Sequence, residues 1–125
     1  MRRDTLGLLE DIRDAISYIE QDTAGASFAD YRQNRQMRQL VERNVVTIGE
    51  AVNRIRRHDP ATVGRISAHD QIVGLRNVLI HGYAVIQHET VWQAVQTSLP
   101  VLRAEVDLLL ADTAEAPPQD GSCTR

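Results

Sequence analysis

The sequence predicts an all-α protein, an antiparallel helical bundle. Apolar residues recur at steps of three and four along four long segments, the period of a helix with one face in a core. No strand-like alternation lasts more than a few residues, and no internal repeat is visible. The composition agrees, with 42% hydrophobic but only 4% aromatic residues, which suits aliphatic helix-on-helix packing. At 125 residues the chain suffices for one domain with a modest core.

The first helix is expected over residues 4–21, where Leu8, Leu9, Ile12, Ala15, Ile16 and Ile19 form one stripe. Thr23-Ala-Gly-Ala-Ser27 ends it. Ser27-Phe-Ala-Asp30 carries an N-capping signal, so a long second helix should follow to about residue 57. At 100° per residue, Met37, Leu40, Val41, Ile48, Ala51, Val52 and Ile55 share its apolar face. Asn44 lies within that face and calls for a buried partner or a functional contact. Arg32, Arg43 and Arg54 fall opposite, together with Glu50, on a face that guides RNA or is simply solvated and partly neutralised by the Glu50/Arg54 spacing of four.

Pro60 should stop the second helix, because proline restricts the residue before it. Ser67-Ala-His-Asp70 can cap a third helix reaching about residue 80, and Gly82 suits its end. A fourth is expected over about 90–111, with Val91, Trp92, Val95, Leu99, Leu102, Val106 and Leu109 inward and a kink at Pro100. Residues 1–113 thus make one helical domain, and 114–125, rich in small and polar residues, a disordered tail.

A net charge of −3 argues against a general nucleic-acid coat, so any polyanion must meet a local basic surface. All 14 basic residues are arginine, which reflects phosphate recognition or codon usage. Cys123, the sole cysteine, excludes an intramolecular disulfide, and with four scattered histidines it leaves no zinc-site spacing. No metal or cofactor is expected. Neither a signal peptide nor a membrane-spanning apolar run is present, so a cytoplasmic location is expected.

The chemistry-bearing stretch is Arg76-Asn77-Val78-Leu79-Ile80-His81-Gly82-Tyr83. A guanidinium clamps phosphate oxygens bidentately and stays charged. Imidazole gives or takes a proton near neutrality. Together they suit metal-free cleavage of RNA, whose 2′-OH attacks the adjacent phosphorus. Arg76 would neutralise the non-bridging oxygens, and His81 would act as base or acid. On a straight helix His81 lies about 140° round from Arg76, so either the helix distorts near His81 or the cleft spans two chains. The same residues also fit plain structural roles: Arg76 as an ion-pair partner, His81 as a C-terminal cap, Tyr83 as a half-buried aromatic.

At these residues the chain resembles the HEPN superfamily, specifically HepT-type toxins of prokaryotic toxin–antitoxin pairs. Their R-x4-H-x-Y signature is intact as Arg76, His81 and Tyr83, with Asn77 as the polar residue favoured after the arginine. Val46-Thr-Ile-Gly-Glu-Ala-Val-Asn-Arg-Ile55, Ile72 through Tyr83, Val91-Trp-Gln-Ala-Val and Ser98-Leu-Pro-Val-Leu102 are similar to successive segments of these proteins. One departure is Arg65-Ile-Ser-Ala-His69, where these proteins often have an Ile-Pro-Trp-like approach. The resemblance implies a four- to five-helix HEPN-like bundle forming a homodimer with the motif at a cleft between protomers. It implies a metal-independent endoribonuclease toxin of a type VII-like system, with Arg76 and His81 catalytic and Asn77 and Tyr83 supporting. The implied partner is an MntA-type nucleotidyltransferase antitoxin that AMPylates Tyr83. The rival expectation is a non-catalytic helical dimer that binds the nucleotidyltransferase or a nucleotide.

Overall fold

The computed structural model describes residues 3–81 and 87–115. Gly82, Tyr83 and residues 116–125 of the expected tail, Cys123 included, lie outside them. Every described element is helical, so the all-α expectation holds.

Helix α1 (Arg3–Thr23) buries Leu8, Leu9, Ile12, Ala15, Ile16 and Ile19, the expected stripe. The chain then turns through Gly25, whose φ of 75° is a left-handed conformation that a side chain resists. The expected cap at Ser27 starts α2 (Phe28–Gln33). Ser27 Oγ accepts from the Asp30 N–H at 3.1 Å, and the Asp30 carboxylate accepts from the Ser27 N–H at 2.9 Å.

One correction follows. The long second helix is two helices, because Asn34 adopts an extended conformation (φ −104°, ψ 96°) and ends α2. Its side chain then caps α3 (Arg35–His58), accepting from the Met37 N–H at 3.0 Å. The break lets α2 insert Tyr31, which is fully buried and stacks obliquely on Trp92 at 5.1 Å. A straight helix would have kept Tyr31 in the frame of α3. It also takes Arg32 out of line with Arg43 and Arg54.

Helix α3 buries Val41, Val45, Ile48, Gly49, Ala51, Val52 and Ile55, whereas Met37 is half-buried and Leu40 exposed. Asn44 needs no distant partner, since it is half-buried and its Nδ2 donates to the Leu40 carbonyl of its own helix at 2.9 Å. Asp59 closes α3 and caps the single turn α4 (Pro60–Val63). Its Oδ2 accepts from both the buried Thr5 hydroxyl at 2.9 Å and the Thr62 hydroxyl at 2.8 Å.

Helix α5 (His69–His81) packs chiefly on α3. The Arg56–Asp70 ion pair at 2.8 Å joins the end of α3 to the start of α5, so the two run antiparallel. Thr5 beside Asp59 gives α1 and α3 the same opposed sense. The connection before α5 is tied to the last helix by the Ser67 N–H, which donates to the Glu105 carboxylate at 3.2 Å.

The expected fourth helix is α6 (His88–Gln93), a π-helical turn (Ala94–Ser98) and α7 (Leu99–Glu115). Pro100 has no N–H and crowds the carbonyl four residues back; the wider turn just before it absorbs the distortion expected at the proline. Helix α7 returns antiparallel to α1, with Arg103 paired to Glu20 at 2.6 Å. Among the described residues no helix is long and apolar enough to cross a membrane.

Candidate active site

Close contact of α3 with α5 builds the site. A β-carbon at Gly49 would stand 2.3 Å from Arg76 Cβ, 2.8 Å from its Cγ and 3.3 Å from the Ile72 carbonyl oxygen. Only glycine lets the aliphatic stem of Arg76 lie flat across α3 there. The stem thereby leaves solvent, and the whole Arg76 side chain is only 22% exposed.

The guanidinium emerges between two polar groups. Its Nη1 donates to Asn77 Oδ1 at 2.8 Å, and its Nη2 stands 4.0 Å from Glu50 Oε2. Nε is buried with no hydrogen-bond partner among the described residues. In a guanidinium the Nε–H and one Nη2–H point the same way and form a two-donor edge suited to an oxyanion. Glu50 stands on the Nη2 side of the group.

Helix α5 continues through His81, so it does not distort to bring the histidine round. His81 is exposed and lies about 140° from Arg76 around the axis. It shares the outer face of α5 with Gly74 and with Val78, which is also exposed. Within one chain, then, Arg76 meets Asn77 and Glu50 while His81 looks outward. Tyr83 lies outside the described residues. Among those described, no cluster of three or more His, Cys, Asp or Glu side chains could hold a metal ion.

Sequence reasoning missed Gly49 and Glu50. It set Glu50 with Arg54 on a face that guides RNA or is simply solvated; Glu50 is indeed exposed, and its carboxylate also approaches Arg76 from the neighbouring helix. One signal was available. A glycine in the middle of an amphipathic helix, between Ile48 and Glu50, marks a close approach by another chain segment.

Residues 12–109 match the family described as ribonuclease HepT-like. The chain belongs to that family. Two relatives span nearly their full lengths. "Putative RNase MJ1380" of Methanocaldococcus jannaschii is 28% identical over 108 residues, 86% of this chain and 98% of that protein. "Probable ribonuclease HepT" of Thermococcus cleftensis is 29% identical over 113 residues, 87% of this chain and 98% of that protein. A third, "Putative RNase TTE0752" of Caldanaerobacter subterraneus, is 24% identical over 102 residues, 82% of this chain and 90% of that protein. No solved structure matches the chain significantly. Arg76, Asn77 and His81 sit on α5 within the matched residues, with Arg76 seated against α3.

Proposed function

We propose that this protein is a metal-independent endoribonuclease toxin, acting as a homodimer and restrained by a nucleotidyltransferase antitoxin. The observation that carries the reading is Arg76, whose stem is anchored over Gly49 and whose Nη1 is held by Asn77 at 2.8 Å. In the reaction, the RNA 2′-oxygen loses its proton to a base and attacks the adjacent phosphorus. The 5′-oxygen leaves with a proton from an acid, giving a 2′,3′-cyclic phosphate and a 5′-hydroxyl. Arg76 stabilises the charge on the non-bridging oxygens, and His81 moves the proton.

The divergence of about 140° between the two residues on one regular helix supports a cleft shared by two chains. A two-fold axis beside the outer face of α5 would then set the His81 of each protomer toward a common substrate. Cleavage of RNA by the purified protein in EDTA tests this. Activity should persist under chelation and fall by about 100-fold or more in Arg76→Lys, which loses the fork, and in His81→Ala. Inert wild-type protein would favour the non-catalytic dimer that binds its nucleotidyltransferase.

The antitoxin part of the reading rests on Tyr83, two residues after His81. Transfer of AMP from ATP joins the phenolic oxygen to the α-phosphorus and releases pyrophosphate. The resulting phosphodiester places a negative charge and a bulky nucleoside beside the motif, where substrate phosphate would bind. Co-expression with the nucleotidyltransferase should add the mass of one or more adenylates. Mass that persists in Tyr83→Phe rules out this acceptor.

A further inference from the structure

We propose that Glu50 is a positioning residue for Arg76, a role that rests on the ribonuclease reading of the motif. Four observations on α3 and α5 meet at this point. The Arg76 stem is fixed at its root, because its Cβ and Cγ fill the space a side chain at Gly49 would occupy. The far side of the guanidinium is held by Asn77, one residue along the same helix, at 2.8 Å. The remaining edge contains a buried Nε–H with no partner and an Nη2 at 4.0 Å from Glu50 Oε2. Glu50 itself is 53% exposed, so its carboxylate reaches the guanidinium from the solvent side.

Glu50 thus completes a three-point mount: the stem over Gly49, Nη1 on Asn77 and Nη2 beside Glu50. At 4.0 Å the carboxylate attracts the guanidinium without a direct hydrogen bond. It fixes the direction of the fork and leaves Nη2 able to donate to a phosphate oxygen. A guanidinium already aimed needs little reorganisation when charge develops on the phosphate, and such preorganisation acts on the chemical step more than on binding. Glu50 touches no reacting atom and acts only through Arg76.

The test compares wild type with Glu50→Gln, Glu50→Asp and a charge-matched control, Glu10→Gln, at an exposed position on α1. Two readouts are taken: kcat and KM on a short RNA, and the 15N-resolved Nε–H signal of Arg76, assigned by its loss in Arg76→Lys. Glu50→Gln should lower kcat about tenfold or more with KM changed less than about twofold, beyond anything seen in the control. Its Nε–H signal should move toward the position and rapid exchange of a solvated arginine. Glu50→Asp, which keeps the charge, should lie between in both readouts.

A Glu50→Gln protein equal to the control in kcat and in the Arg76 signal overturns the proposal. A rise in activity also overturns it, because Glu50 would then compete with the phosphate. If wild type cleaves no RNA, the ribonuclease reading fails and the Nε–H signal alone decides the mount. Should Glu50→Gln melt far below wild type, Glu50→Asp decides: an Arg76 signal identical to wild type together with unchanged kcat overturns the role.

Discussion

Gly49 lies directly beneath Arg76, with an ideal β-carbon at the glycine only 2.3 Å from Cβ of the arginine. The obstructing atom is the rigid root of the side chain, which cannot swing aside as its tip could. Whatever Arg76 does on its outer end depends on a missing methyl group one helix away.

Gly49→Ala measures this dependence. On helix propensity alone the change should stabilise the protein by about 1 kcal/mol. Overpacking between α3 and α5 should reverse the sign, for a net loss of about 1–3 kcal/mol. Urea unfolding should show a lower midpoint at unchanged slope. A gain in stability would mean that the helices part easily.

Tyr31 makes an alkaline prediction. Burial pushes its phenol well above the ordinary value of 10, with Glu42 adding to the rise and Arg38 opposing it. The folded state therefore holds this proton more tightly than the unfolded chain. Its contribution is complete below about pH 10 and is lost as pH rises beyond that value. Tyr31 Oη has no hydrogen-bond partner among the described residues, so Tyr31→Phe should leave the melting temperature at pH 8 within a few degrees of wild type. The variant should also lose less stability between pH 10 and 11, as thermal melts would show. An equally steep alkaline decline in both proteins would contradict the assignment.

Asp59 joins three parts of the bundle by accepting from Thr5 on α1 and Thr62 on α4 while capping the latter. Asp59→Ala removes the cap and strands the Thr5 hydroxyl, whose residue is only 1% exposed. The expected loss is about 2–3 kcal/mol in urea unfolding. Asp59→Asn should recover part of it, since an amide oxygen still accepts. A loss below about 0.5 kcal/mol would show that water replaces these bonds.

Much of the bundle was legible in the sequence because it depends on local periodicity. The stripe of α1 is buried as expected, and so is most of the α3 face. Asn34 was not legible. Its neighbours Arg32, Gln33, Arg35 and Gln36 are good helix formers, and the break serves the burial of Tyr31 against a residue some sixty positions later, Trp92. The site divides in the same way. The motif residues Arg76, Asn77 and His81 are visible as a spacing, whereas the role of Gly49 and the approach of Glu50 are tertiary facts. A spacing rule on one helix cannot reveal what the next helix contributes.

The π turn at Ala94–Ser98 acts as a phase shifter. The buried residues Val91, Val95 and Leu99 follow at successive intervals of four, which on a regular α-helix would precess about 80° off the core. The widened turn holds them in line while α7 resumes the ordinary period. Forcing this segment into a regular α-helix at its full length would rotate α6 by about 100° against α7. Trp92 would then leave Tyr31, and the bundle would lose the lid over its α2 end while gaining a more regular backbone.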